Sequence, residues 1–415
     1  MLRATCVALV ALGLSGAALA QSDDITARAK AIQSRVLTVD THVDIPANFG
    51  SPAYDMMKPG PRGQQVHLPT MTSGGLDAPF LIVFVGQGER TTSGYAKALA
   101  DAFTKFAAIH KLTEETYPDK IELARTAADA RRIRAAGKKV ALIGVENGYP
   151  IGKDVRLLDQ FHDYGASYFG LVHNGHNDLG DSSQPDKAKM EPAAEWNGLS
   201  PLGRQVVARL NALGIMVDIS HSSDKTTLDI IAASKAPVIA SHSALNGVSL
   251  HARNMSDAAL VALGKSGGVA QIVAFDPYLK VTPPEKTAAI DALQKEMGLD
   301  GPGALNRASA DQLKAYDARM AEIHTKWPKA NVKDLVDNID YAVKKIGVDH
   351  VGISSDFNGG GGIDGWNDAS ETFNVTLELV RRGYTEEQIG KIWGGNLLRV
   401  MDDVQRKATA GKKGR

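Results

Sequence analysis

Thiols are almost absent from this chain: its 415 residues include one cysteine, Cys6. That cysteine falls within the first twenty residues, which read as a cleavable export leader. Arg3 gives a short positive start, residues 7–14 are apolar, and Ala18-Leu19-Ala20 forms a small-x-small cleavage site before Gln21. The mature chain this predicts has no disulfide, no cysteine nucleophile and no thiolate ligand, so any metal must be held by imidazole and carboxylate. A net charge is also lacking. Lysine and arginine total 47, as do aspartate and glutamate, which removes the electrostatic case for nucleic acid or an anionic membrane surface. No apolar run beyond the leader is long enough to span a bilayer, so the leader points to the bacterial periplasm. The glycine run 359–362 lacks the Lys-Ser/Thr pair of a phosphate loop and reads as a flexible segment.

What is present is ordinary globular material, 43% hydrophobic and 23% charged, with enough length for one large α/β barrel with insertions or for two domains. Brief runs rich in valine, isoleucine, leucine and phenylalanine predict strands at 36–41, 80–85, 140–145, 168–172, 215–219, 237–240, 268–273 and 350–354. Helix starts lie between them. Ser200-Pro201 reads as an N-cap followed by proline, Ser256-Asp257 precedes an amphipathic run, and Thr385-Glu386-Glu387-Gln388 has capping-box spacing. Alternation of eight strands with helices predicts a (β/α)₈ barrel of the TIM type. It would occupy residues 21–405 as a single domain, with a basic flexible tail at 406–415. The long stretch between the seventh and eighth strands, 276–338, predicts a helical insertion over the barrel mouth.

Barrel enzymes carry their chemistry at the C-terminal ends of strands, and ligand-type residues recur there. The first strand leads into His42 and Asp44, the third into Glu146 and the fourth into His173. The fifth leads into His221, the sixth into His242 and the eighth into Asp356. His42 and Asp44 stand two apart in extended chain and therefore face the same side. The expected set is His42, Asp44 and Glu146 on one ion, and Glu146, His221 and His242 on a second, with Glu146 as the bridge. Each ion keeps an open position, as catalytic sites do. Two divalent ions outweigh two carboxylates, which favours a bridging hydroxide as nucleophile. Nitrogen and oxygen ligation favours two zinc ions per chain, with manganese or cobalt as alternatives in vitro. Asp356 would transfer the proton to the leaving amine, His173 would contact the carbonyl oxygen, and Arg253 would grip a substrate carboxylate.

These residues, in this order, resemble the membrane (renal) dipeptidase family of zinc peptidases, within the amidohydrolase superfamily. The matching pieces are Asp40-Thr41-His42-Val43-Asp44, Gly144-Val145-Glu146-Asn147-Gly148, Leu171-Val172-His173-Asn174 and Asp218-Ile219-Ser220-His221. Ser241-His242-Ser243, Arg253-Asn254, Asp356-Phe357 and Gly395-Asn396-Leu397-Leu398-Arg399-Val400 complete the set. The resemblance implies hydrolysis of dipeptides with a free C-terminal carboxylate, some with a D-residue there, and a homodimer. It places the family's metal ligands on His42, Asp44, Glu146, His221 and His242. Its substrate-binding residues fall on His173 and Arg253, and its proton-transferring aspartate on Asp356. The sequence departs from the family at Val43, at Asn147-Gly148-Tyr149 and at Asn358.

Two other functions compete: another amidohydrolase acting on a small or cyclic amide, and a silent periplasmic metal- or solute-binding protein. The first has no use for Arg253, and the second predicts loss of a ligand or of Asp356. Other residues read more plainly. His176 is expected as a solvated loop residue, while His110, His162 and His324 fall on helical patterns. Trp196, Trp366 and Trp393 are expected to pack. Trp366 is the one close enough to Asp356 to watch.

Overall fold

The computed structural model describes residues 24–46, 48–59, 64–300 and 304–413. The expected leader and Cys6 lie outside them. The strands are β1 (Val39–Asp44), β2 (Ala78–Phe84), β3 (Ile121–Leu123), β4 (Lys139–Glu146), β5 (Ala166–Gly170), β6 (Met216–Asp218), β7 (Ile239–Ser243), β8 (Val269–Val273) and β9 (Val351–Ser354). All eight predicted strands are present. The unpredicted β3 is three residues long and pairs only with β4.

The other eight run in the order β1-β2-β4-β5-β6-β7-β8-β9, all parallel, and curl into a nearly closed barrel of the (β/α)₈ type. Across the seam, Val43 pairs with Phe357, where the Asp44 N–H donates to the Phe357 carbonyl at 2.9 Å. The Ser355 N–H also donates to Asp40 Oδ1 at 2.8 Å.

Period-two alternation sorts side chains onto two faces. Phe80, Ile82, Val140 and Leu142 pack inside the barrel, joined by Tyr168, Met216, Ile239 and Val269. Leu81, Val83, Ile143 and Val145 face the helical shell. The inward row of β4 is therefore Val140, Leu142, Gly144 and Glu146, and Glu146 ends it at the top of the barrel, in register with Phe84. Gly144 has a steric role in this row, because a Cβ there would overlap the Tyr168 ring. The C-terminal helix Asn396–Lys413 adds Leu397, Leu398, Val400, Met401 and Val404 to the same core. It runs on past Arg406, where the sequence suggested a basic tail.

The three helix starts form as expected. Ser200, Ser256 and Thr385 each accept a backbone N–H, and Thr385 closes a capping box with Gln388. Between β8 and β9 the chain forms helices Asp276–Leu279, Pro284–Glu296, Ala304–Arg307, Ala310–Lys326 and Val332–Ile346. The last of these packs on β8 and β9 and is the barrel's own helix, so the expected insertion boundary at 338 falls too late. The second and fourth share a small separate core of Leu293, Leu299, Ala308 and Tyr316.

Candidate metal centre and substrate site

The eight residues singled out in the sequence converge at the C-terminal end of the barrel. His42 and Asp44 lie within β1, because the strand begins at Val39 and continues to Asp44 instead of stopping at Thr41. Simple alternation does not hold there, since the β1–β2 register shifts between Asp40 and Val43. The two side chains meet all the same, His42 Nε2 lying 3.5 Å from Asp44 Oδ2. Glu146 is the last residue of β4, and His242 lies inside β7. His173, His221 and Asp356 follow β5, β6 and β9. His221 and Asp356 hold φ of 66° and 57°, a left-handed backbone that costs energy outside glycine and gathers at functional sites.

Glu146 is the hub. Its Oε2 lies 3.5 Å from His42 Nε2, and its Oε1 lies 3.0 Å from His221 Nε2, 3.3 Å from His242 Nε2 and 4.0 Å from His173 Nε2. Three sets of ligand atoms cluster closely enough to hold a metal ion: His42–Glu146–His242, Glu146–His173–His221, and His42–Asp44–Asp356. Glu146 and His42 each belong to two sets. The expected triad of Glu146, His221 and His242 is equally compact, with 3.0 Å between the two imidazole Nε2 atoms.

The other ring nitrogens explain how these histidines are oriented. Tyr168 donates its hydroxyl proton to the Thr41 carbonyl at 3.0 Å, so its oxygen is left to accept from His42 Nδ1 at 3.0 Å. Ser241 donates to Asp218 Oδ2 at 2.6 Å and accepts from His242 Nδ1 at 2.8 Å. Asn174 Oδ1 accepts from His221 Nδ1 at 3.1 Å. With all three Nδ1 protons placed, all three Nε2 atoms face inward, and those of the neutral His221 and His242 present lone pairs. Two lone pairs 3.0 Å apart repel unless a cation lies between them. Glu146 Oε1 is buried with no hydrogen-bond partner, which is costly unless a cation meets it. The donor set therefore fits divalent metal, held by oriented imidazoles as in known metal sites.

The metal-free electrostatics agree. Burial opposes charge on His42, but the Glu146 and Asp44 carboxylates outweigh it and hold its pKa well above the ordinary value. Burial would also raise Glu146, yet the positive charge on His42 leads the effects that keep it well below the usual carboxylate range. Burial lowers His221 and His242 well below the ordinary imidazole value, with Arg253 and His42 respectively adding to it. Asp356 is pushed up to about 8 by burial, with Asp44 and Glu146 reinforcing the rise. Burial likewise lowers His173, leaving a neutral ring.

Arg253 lies in the loop after β7 and is 3% exposed. Its Nη2 donates to the His242 carbonyl at 3.1 Å, its guanidinium lies 5.4 Å from the Tyr278 ring centroid, and its buried Nε has no partner. Among the described residues no carboxylate pairs with it, so a structural ion pair does not account for its burial. His173 is 24% exposed in its side chain and stands between Phe84, at 4.7 Å between rings, and His221, at 4.1 Å.

Several features were not read from the sequence. The supporting residues Asp218, Ser241, Tyr168 and Asn174 require the strands to be adjacent before their roles appear. His176 is fully buried, not solvated. Its ring accepts from the Ser182 N–H at 3.0 Å and donates to the Pro192 carbonyl at 2.9 Å, fastening the long β5–β6 loop. The glycine run is fastened as well. Gly361 N donates to the Asp356 carbonyl at 2.8 Å and Gly362 N to the Ala274 carbonyl at 3.0 Å. A Cβ on Gly359 would overlap both Asp44 Oδ2 and Asp356 Oδ1. Close approach, more than flexibility, explains glycine there. Trp366 packs, fully buried, against Phe357 and Trp393.

Comparison with known proteins agrees with this geometry. A family model described as membrane dipeptidase (peptidase family M19) matches residues 26–414. Dipeptidase tcpJ of Claviceps purpurea (strain 20.1) is 30% identical over 352 residues, covering 84% of this chain and 71% of that protein. The crystal structure of the probable dipeptidase PvdM from Pseudomonas aeruginosa superposes with a TM-score of 0.81 at 35% identity, over 93% of this chain and 99% of that one. A metallo peptidase from Rhodobacter sphaeroides, liganded with a phosphinate mimic of the dipeptide L-Ala-D-Ala, shares the fold at 22% identity. Its TM-score is 0.68, over 89% of this chain and 99% of that one. With the barrel, the imidazole and carboxylate cluster and these likenesses together, the chain belongs to the membrane dipeptidase family, peptidase family M19, a family of metal-dependent dipeptide hydrolases.

Proposed function

We propose that this protein is a zinc-dependent dipeptidase acting on small L-L and L-D dipeptides with a free C-terminal carboxylate. His42, Asp44 and Glu146 would hold one ion, and Glu146, His221 and His242 a second. The observation that carries the reading is the convergence of three Nε2 atoms on the Glu146 carboxylate, His221 and His242 at its buried, partnerless Oε1 and His42 at Oε2. Ions bound there supply Lewis acidity to the scissile carbonyl and make water acidic enough to deprotonate near neutral pH. Imidazole with carboxylate oxygen favours zinc among the available metals.

The chain's own groups do the rest. Arg253 anchors the substrate carboxylate, which fixes the scissile amide above Glu146. His173, neutral, donates a hydrogen bond to the carbonyl oxygen as it gains charge. Asp356 takes the proton from the attacking water and passes it to the leaving amine, so that addition and expulsion share one group.

Export through a leader cleaved after Ala20 and assembly as a homodimer complete the proposal. No helix among the described residues is long and apolar enough to cross a membrane. The test is metal analysis of the purified protein together with turnover of an L-L and L-D dipeptide panel, before and after chelation. Turnover that survives complete removal of metal would refute the proposal.

A further inference from the structure

The barrel order sets a direction for the substrate. β7, which carries the Arg253 loop, stands four steps from β2 by either route around the barrel. A dipeptide held by its carboxylate at Arg253, with its carbonyl at His173 and Glu146, therefore points its N-terminal residue at the β2 wall. Two residues there are unexplained by the mechanism. Phe84, the last residue of β2, continues the inward row of Phe80 and Ile82 and lies against His173.

Lys105, on the helix Thr92–Lys111 that follows β2, places its ammonium 5.8 Å from the centre of that ring. Its Nζ donates to the Ile45 carbonyl at 3.2 Å. Among the described residues no carboxylate stands within ion-pair distance of it, which leaves its other N–H groups without an anionic partner. Asp44 and Glu146 from the metal cluster act on its charge, as does Asp101 one turn earlier on its own helix.

From the β7 side to the β2 side the charges thus run cation, carboxylate cluster, cation: Arg253, then Glu146 with Asp44 and Asp356, then Lys105 on the helix after β2. The ligand complementary to that order carries an anion at each end and an amine between them. An N-terminal glutamyl or aspartyl dipeptide has this pattern: an α-carboxylate, an α-ammonium and a side-chain carboxylate.

We propose that Lys105 is a specificity-determining residue that selects dipeptides with an acidic N-terminal side chain, the aliphatic part of that side chain lying on Phe84. This rests on the dipeptidase reading and on Arg253 as carboxylate anchor. An ammonium bonds a carboxylate more strongly than a neutral amide, and the desolvated wall strengthens the difference.

The experiment compares kcat/KM for Glu-Ala, Gln-Ala and Ala-Ala in the metal-loaded wild type and in Lys105→Gln and Lys105→Arg. Glutamate and glutamine differ in charge but hardly in shape, so their ratio within one protein is independent of how active that preparation is. The wild type should favour Glu-Ala over Gln-Ala by about tenfold, the order of one charge-assisted hydrogen bond. The ratio should fall towards unity in Lys105→Gln and persist in Lys105→Arg. A wild-type ratio near unity overturns the inference even if neither variant folds, and so does a ratio unchanged in Lys105→Gln. Either result, with all three peptides still cleaved, leaves the dipeptidase reading standing. Failure to cleave any of them overturns both.

Discussion

Asp218 governs His242 without touching it: its carboxylate takes the Ser241 hydroxyl proton at 2.6 Å, and the same hydroxyl oxygen accepts from His242 Nδ1 at 2.8 Å. The carboxylate is itself held by the Ser220 and Ser241 N–H groups at 3.0 and 2.8 Å. The proton on His242 is thus set from β6, one strand away.

Replacing Asp218 by asparagine should reverse that chain. The amide would donate to Ser241, turning the hydroxyl proton towards His242 and driving the ring proton onto Nε2. Metal affinity should fall by about 10–100-fold, the usual cost of losing a supporting hydrogen bond. Chelator competition measures it, and an affinity equal to wild type would contradict the relay.

Arg253→Ala separates anchoring from chemistry. The loss in kcat/KM should be about a hundredfold for dipeptides with a free carboxylate, since the partner of a buried charge is removed. Carboxyl-amidated analogues should change little. Equal losses on both series would remove the anchoring role.

Metal binding should weaken as pH falls. In the metal-free protein His42 keeps its proton, and Asp356 titrates near 8. Bound metal must displace the His42 proton, and its charge disfavours the proton on neighbouring Asp356, so apparent affinity rises with pH until those groups are deprotonated. Titration calorimetry between about pH 6 and about pH 9, in buffers of different ionisation enthalpy, should show proton release that declines towards the alkaline end. Binding without proton release would be the contrary result.

Gly359→Ala tests the close approach. The added methyl must push apart Asp44, Asp356 or the loop, at an overpacking cost of about 1–3 kcal/mol. The expected outcome is a modest drop in melting temperature with a much larger drop in kcat. An active enzyme with an unaltered melting point would show that the loop yields freely.

The barrel and the cluster of eight residues at its C-terminal end were legible in the sequence because both depend on local signals. Buried parallel strands are short apolar runs, and imidazoles and carboxylates just beyond them break the pattern visibly. The error at β1 has a physical source. Val36 and Leu37 look strand-like but belong to the turn after helix 24–35, whereas the polar pair His42 and Asp44 lies within the strand. The relay through Asp218 was invisible because it requires β6 beside β7. The loop 171–200 was illegible for a similar reason. It is shaped by His176, by Asn177 binding the Leu171 carbonyl at 2.8 Å, and by Asp181 accepting from the N–H groups of Glu195, Trp196 and Gly198. Polar contacts of that kind leave no periodic trace.

The seam of the barrel bears on when the protein can become active. Asp44 and Asp356 come from its first and last strands, and the seam joins Asp40 to Ser355 across 315 positions of sequence. On the proposed reading, a nascent chain lacking its final strand has the five metal ligands but not Asp356, so its site is incomplete. Catalytic competence therefore arrives late, when the two ends of the barrel meet, and it reports that the whole chain has folded.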